Sequence, residues 1–174
     1  MKTGLTLRSL SAEEATACSK QLAKVLLDCV EGGASVSFML PMGEEKALQF
    51  WRGVADSVGR GERTLIVAED AQGIAGTVQL ITDMPDNQPH RADVAKLLVD
   101  RRARGAGIGR RLMEAVEEAA RTQRRSLLVL DTANATAERL YERLGWQRVG
   151  AIPDYACLPE GPLCATTFFY KRLG

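Results

Sequence analysis

This chain of 174 residues lacks most of what several large protein classes require. No run approaches the roughly 18 consecutive apolar residues that a membrane-crossing helix needs. The opening stretch from Met1 to Arg8 carries no apolar core of a secretory signal. There is one histidine, His90, and the four cysteines (Cys18, Cys29, Cys157 and Cys164) show no Cys-x-x-Cys spacing. A zinc site draws on close pairs of such ligands, so no metal is expected. Cys18 and Cys29 fall at helical spacing and read as small buried apolar residues. A net charge of +1 creates no global field toward nucleic acid or a membrane surface. Repeats, low-complexity tracts and linkers are absent. What is left is a cytoplasmic protein with reduced thiols, 45% apolar and 26% charged, expected to form a single domain over residues 1–174.

The first strand is expected over Leu5 to Leu10. Ser11 and Glu14 then form a capping box, in which the Ser11 hydroxyl accepts from a first-turn amide and Glu14 reaches back to the cap. One helix is expected from there, with Ala15, Cys18, Leu22, Val25, Leu26 and Cys29 on its apolar face and Gly32-Gly33 at its end. Glu44 to Val58 is a second helix. Thr64 to Glu69 and Gly73 to Ile81 are strands joined by a hairpin, and Asp83 to Pro89 is a polar loop. A strand over Ala92 to Val99 leads into a glycine-rich turn and a helix from Gly107 to Thr122. A strand over Ser126 to Asp131, a helix over Ala135 to Leu144, and strands over Trp146 to Ile152 and Leu163 to Lys171 complete an α/β order β-α-α-β-β-β-α-β-α-β-β.

The stretch from Leu97 to Leu112 is the most informative. A buried strand runs into Arg104-Gly105-Ala106-Gly107-Ile108-Gly109 and then into an amphipathic helix. Clustered glycines let a ligand approach the backbone closely. The free amides and dipole of the helix's first turn favour a negative charge there, which makes the turn a pyrophosphate cradle. The spacing is not that of a dinucleotide fingerprint, and no Gly-Lys-Ser/Thr is present for a P-loop. An ordinary tight strand–helix turn is the plainer alternative. The arginines between 101 and 111 could equally form a solvated run or a nucleic-acid patch. Glu114, Glu117 and Glu118 follow them and no aromatic residue is interleaved, so no nucleic-acid partner is expected.

Arg102-x-x-Gly105-x-Gly107 after that strand resembles the Arg/Gln-x-x-Gly-x-Gly/Ala motif of the GNAT acetyltransferases. Asn134-x-x-Ala137-x-x-Leu140-Tyr141-x-x-Leu144-Gly145-Trp146 resembles the second signature of the same superfamily, with Trp where Phe is commoner. The segments Gly32 to Phe38 and Arg91 to Leu97 further resemble bacterial tabtoxin-resistance-type acetyltransferases. Arg101 departs from the pattern, standing where many members have proline. The resemblance implies a mixed central sheet of about seven strands flanked by about four helices. It also implies acetyl-CoA as co-substrate, a primary amine of a small molecule or peptide as acceptor, and a monomer or homodimer.

The resemblance assigns roles to named residues. Amides from Arg102 and Arg104 through Gly109 (Gly105, Ala106, Gly107 and Ile108 among them) would take the pyrophosphate, with Arg102, Arg104 or Arg110 pairing with phosphate charge. A free backbone amide near Leu98 or Val99 would face the thioester oxygen, a donor whose removal typically costs about 3 kcal/mol. Asn134 would hold the cofactor arm, be a plain N-cap, or both. Tyr141 would protonate the departing thiolate, whose free thiol has a pKa of about 8.5; its plainer role is a core aromatic. An alkyl amine with a pKa of about 10.4 must lose a proton before it attacks. Asp93 and Asp131 are the candidate bases or amine-recognising carboxylates, each open to a turn or capping role, and His90 is a weaker candidate. Ser35 to Phe38, with Ser35 and Phe38 named, would select the acceptor together with the Asp83 to Pro89 loop and the final hairpin near Tyr155. No motif supports a covalent acyl-enzyme, so direct attack is expected. A non-catalytic acetyl-CoA sensor on the same fold and an ATP-binding regulator are the rival readings.

Overall fold

The computed structural model describes residues 4–174; the reading of Met1 to Thr3 as part of a leaderless start lies outside the described residues. Strand β1 (Thr6–Leu10) ends at the expected capping box. The Glu14 amide donates to Ser11 Oγ at 3.1 Å and the Ser11 amide to Glu14 Oε2 at 2.8 Å. This opens α1 (Ala12–Ala17), which stops sooner than its apolar spacing suggests. Cys18 leaves the helical region at φ −89°, ψ 2°, and the chain restarts as α2 (Ser19–Glu31). Thr16 Oγ1 bonds back to the Ala12 carbonyl at 2.9 Å, a contact that bends helices. The bend lets both segments pack on α3 (Glu44–Gly59). There are therefore five α-helices among the described residues, one more than expected.

The remaining elements are β2 (Arg63–Asp70), β3 (Gly73–Ile81), β4 (Arg91–Val99), α4 (Ile108–Thr122), β5 (Leu127–Thr132), α5 (Ala135–Arg143), β6 (Gln147–Cys157) and β7 (Leu163–Arg172). They build one seven-stranded sheet in the order β1-β2-β3-β4-β5-β7-β6, in which only β4 and β5 run parallel. Each face carries its own core. Val78, Leu80, Ala92, Val94, Leu112, Val116, Leu128 and Phe169 pack under α4 and α5. Leu22, Leu26, Trp51, Leu65, Val67 and Leu98 pack under α1 to α3. Each Val, Leu or Phe among them is worth about 1.5–3 kcal/mol when fully buried. No helix among the described residues is long and apolar enough to cross a membrane.

Leu98 shows what positions the site. In a regular strand Val94 and Leu98 share a face, because side chains alternate with period two. Here Val94 lies in the core under α4 and Leu98 in the core under α2 and α3. The register against β3 slips between Thr77 and Gln79, and Lys96 sits at φ +53°. One extra residue in β4 has inverted the parity of everything after it.

The same stretch is where β4 leaves β5. The two strands pair only at Arg91–Leu127, Ala92–Leu128 and Asp93–Val129, then separate. Gly76 lets α4 approach the sheet just there. A Cβ on it would stand 2.9 Å from the Leu98 carbonyl and 3.1 Å from both Ile108 and Leu112 side chains.

Candidate functional site

A cavity of about 930 Å³ fills the gap between β4 and β5. Its floor is Leu97 to Val99, and one wall is Arg104, Gly105 and Gly107 through Arg110. The opposite wall is Asn134, Ala137, Leu140 and Tyr141. Gly105 and Gly107 adopt φ +81° and +74°, a region that costs other residues strain, and a Cβ at either would project into open space. The first backbone bond of α4 is Arg111 N–H to Gly107 O at 3.2 Å. The amides from Gly105 through Arg110 have no backbone acceptor among the described residues. An open nest of amides at the start of a fifteen-residue helix suits a diphosphate, so the residues present fit the anion expected of them.

Not every expected cradle residue joins it. The Arg102 guanidinium donates to Asp70 Oδ2 at 2.6 Å and the Arg102 amide to Asp100 Oδ1 at 3.0 Å, so neither is free for a phosphate. Arg102 clamps the turn to β2, and hydrogen bonding to it holds the Asp70 carboxyl below its usual range. The Arg104 amide donates to Arg101 O at 3.4 Å, but its side chain lines the cavity. Arg110 also lines it while pairing with Glu114 at 2.8 Å. Ala106 offers its amide and no lining side chain.

The free amide of β4 belongs to Val99. Asp100 N–H donates to Ala75 O on β3 at 2.9 Å. The preceding N–H must point to the other side of the strand, toward the gap beside β5. The Val99 carbonyl agrees, accepting from Cys29 Sγ at 3.5 Å and Arg104 Nε at 3.4 Å. Leu98 pairs instead with Thr77 and contributes only its side chain to the floor.

Across the gap, Asn134 caps α5. Its Oδ1 accepts from Thr136 and Ala137 amides at 2.8 and 3.1 Å, and the residue also lines the cavity, so the cap and the cavity wall are one residue. Tyr141 is buried against Trp146 and Phe169, with ring centroids 6.0 and 5.7 Å away. Burial pushes its phenol well above the usual range, and the charge of Asp131 adds to this. The Trp in the second signature has a partner: its indole N–H donates to buried Glu117 Oε1 at 3.0 Å, and Lys171 Nζ reaches Glu117 Oε2 at 2.8 Å. Glu117 thus ties α4 to the last strands instead of facing solvent with Glu114 and Glu118.

A second cavity of about 170 Å³ lies next to the first, and Tyr141 lines both. Asp131, Thr132, Ser35, Ser37 and Lys96 line it as well. Asp131 Oδ2 accepts from Thr166 Oγ1 at 2.7 Å. Asp93 lines neither cavity; it lies where β4 and β5 still pair and is closed by an ion pair with Arg91. Phe38 stacks edge-on against Phe50 at 5.2 Å, both half-buried at the margin of the core under α3, and is absent from the lining. His90 is exposed, and its carbonyl accepts the Ser126 amide at 2.8 Å. Of the expected acceptor residues, Ser35 and Asp131 meet here. The loop that carries Ser35 is tied to the final hairpin by Leu40 N–H to Pro159 O at 2.9 Å.

Sequence reasoning missed Lys96, whereas Ser37 falls inside the expected Ser35 to Phe38 stretch without being singled out there. Lys96 Nζ donates to Ser37 Oγ at 3.0 Å, and Ser37 adopts φ +80°. Burial draws the Lys96 ammonium below its usual range. The signal was present: Lys96 breaks the apolar alternation of β4, as a bulge does.

A family model described as Acetyltransferase (GNAT) domain matches residues 61–148. Human N-acetyltransferase 8B is 39% identical over 87 residues, which is 48% of this chain and 38% of that protein. An uncharacterised N-acetyltransferase from the hisH–hisA intergenic region of Azospirillum brasilense is 35% identical over 106 residues, 60% of this chain and 61% of its own length. The match thus spans less than two thirds of either curated relative. Among solved structures, yncA of Salmonella typhimurium, assigned as an acetyltransferase and solved with its cofactor acetyl-CoA, superposes with a TM-score of 0.81. It is 17% identical, and the match covers 99% of this chain and 95% of that one.

Proposed function

The chain belongs to the GNAT acetyltransferase family, and on that premise we propose that it is an acyltransferase moving an acetyl group from acetyl-CoA to a primary amine of a small molecule or peptide. The observation that carries this reading is the parting of β4 from β5, with an anion cradle on one wall of the gap and Tyr141 and Asp131 at the other. When bound, acetyl-CoA supplies an activated acyl carbon and a thiolate leaving group. The residues that would hold it are Gly105 through Arg110 at the diphosphate, with Arg104 and Arg110 as counter-charges, and Asn134 beside the arm.

Within that frame the chain's own groups address charge and protons. The Val99 N–H is fixed in the strand and aimed into the gap, so it meets developing negative charge without reorganising. Tyr141 keeps its proton at neutral pH, as a phenol with an ordinary pKa of about 10 does, and its surroundings disfavour the phenolate further, which leaves it able to donate to a departing sulfur. Asp131, held by Thr166, offers a carboxylate on the acceptor side that attracts an ammonium and accepts its proton directly or through water. No nucleophile is needed between cofactor and amine, and attack is direct.

Thermal-shift titration with acetyl-CoA, CoA and ATP, followed by free-CoA release over a panel of amines, tests the reading. Stabilisation by acetyl-CoA and by CoA, with thiol release that depends on an amine, is the expected result. Stabilisation by ATP alone would reject it. Binding of acetyl-CoA with no release for any amine would leave a sensor module in its place.

A further inference from the structure

The small cavity beside Tyr141 contains opposite charges that do not neutralise each other. Asp131 lies on β5 with one oxygen held by Thr166 at 2.7 Å. Lys96 lies on the β4 bulge, where Ser37 Oγ holds its ammonium at 3.0 Å. Both line a space of about 170 Å³, and Lys96 forms no ion pair among the described residues. The other charges on this face of the sheet are already engaged. Arg63 donates to Ser57 and Gln79, at 2.8 and 2.7 Å, and Asp93 is paired with Arg91.

A lysine in this position is costly. A half-buried ammonium whose one hydrogen-bond partner is a hydroxyl has lost water without gaining an ion pair; burial lowers its pKa, and the charge of Asp131 offsets this only in part. Two backbone features hold it there: its own φ of +53° at the bulge and the φ of +80° at Ser37. Non-glycine residues in that region store strain, and such strain gathers where a ligand is gripped. A polyamine or any other polycation would be repelled by Lys96, and a protein N-terminus offers it a neutral peptide carbonyl where a free amino acid offers a carboxylate.

Resting on the acetyltransferase reading above, we propose that the acceptor is a free α-amino acid or a close analogue, its ammonium facing Asp131 and its carboxylate facing Lys96. The pairing of charges suits the ligand: a zwitterion can meet two opposite charges that line one cavity and form no ion pair with each other. The amine is then delivered beside Tyr141, which lines both this space and the larger cavity. Lys96 is thereby a specificity-determining residue, and Ser37 positions its ammonium.

The test compares each amino acid with its own amide and with the amine lacking the carboxyl carbon, in the parent protein and in Lys96→Met, Lys96→Arg and Ser37→Ala. The parent is expected to favour the acid over its amide in kcat/KM by about tenfold to a hundredfold, the scale of one charge-assisted bond. Lys96→Met should bring that ratio close to one. Lys96→Arg should retain part of it, and Ser37→Ala should lower it less than Lys96→Met does. Equal or better use of amides, polyamines or N-terminal peptides by the parent would overturn the inference, as would an acid-to-amide ratio that Lys96→Met leaves intact. Calorimetric titration of the same ligands into CoA-loaded protein separates the two levels of argument. Selective binding of amino acids without any acetyl transfer would sink the proposed activity and keep the amino-acid site. Transfer to amines without that selectivity would do the reverse.

Discussion

Tyr141 and Asp131 are single residues whose surroundings set their chemistry. The Tyr141 phenol titrates above its ordinary range because it is buried and near a carboxylate. Its folded-state pKa is raised, so the stability linked to it is complete below about 10, the ordinary tyrosine value, and is lost as the pH climbs past that toward the folded value. Tyr141→Phe should remove the last-ionising step from a spectrophotometric tyrosine titration. It should also lower kcat by about a hundredfold, the low end for a general acid, while changing acetyl-CoA affinity much less. An unchanged kcat would reject the proton-donor role. The carboxylates divide differently. Asp131 lines the acceptor cavity and Asp93 does not, so Asp131→Asn should reduce kcat/KM for the acceptor by tenfold or more and Asp93→Asn by clearly less, read from initial rates. Equal losses would return Asp93 to the site. The sequence put these two acids on the same footing, because both border the same pair of strands. Only the register, with Asp93 opposite Val129 before the strands part, separates them.

The glycine turn is the element whose purpose was most legible. Three glycines clustered at the start of an amphipathic helix have few uses, and the expected helix start at Gly107 differs from the observed one by a single residue. The turn's arginines were less legible, since a run of like side chains says nothing about which way each points; Arg102 faces Asp70 and not the cradle. Gly107→Val should weaken acetyl-CoA binding by a hundredfold or more in equilibrium titration. The valine combines left-handed strain with a side chain in the diphosphate's space, each worth about 1–2 kcal/mol or more. Retained affinity would mean that the anion lies elsewhere. Helix α1 illustrates the opposite case. Its apolar spacing runs smoothly through Cys18, and the break there, with a Thr16 side-chain bond in the turn before it, is something periodicity does not register.

For the whole molecule, the strands and the residues of the two cores follow from patterning that the sequence displays, because burial leaves a run or an alternation that can be read; the mixed seven-stranded sheet was expected from the family resemblance, and the spatial order of its strands comes from the structure. The gap between β4 and β5 does not follow from patterning, since it depends on a slip between neighbours that no single strand reveals. Ligand effects should follow that gap. Hydrogen exchange with and without CoA should show slowed amides in the first turn of α4, the second half of β4 and the start of α5. Exchange in β1 and in the outer strand β6, on opposite rims of the sheet, should be unaltered. Protection spread evenly over all strands would indicate global stiffening and not a localised ligand.

The additional residue at Lys96 acts as a half-period phase slip along β4. Drawn out into a regular strand with the same residues, β4 would put Leu98 back in step with Val94 and turn the Val99 N–H toward its neighbour β3, where a partner would satisfy it. The two central strands could then zip together to their ends. The chain would make a more orderly sheet and, with the seam sewn shut, one that no ligand could enter.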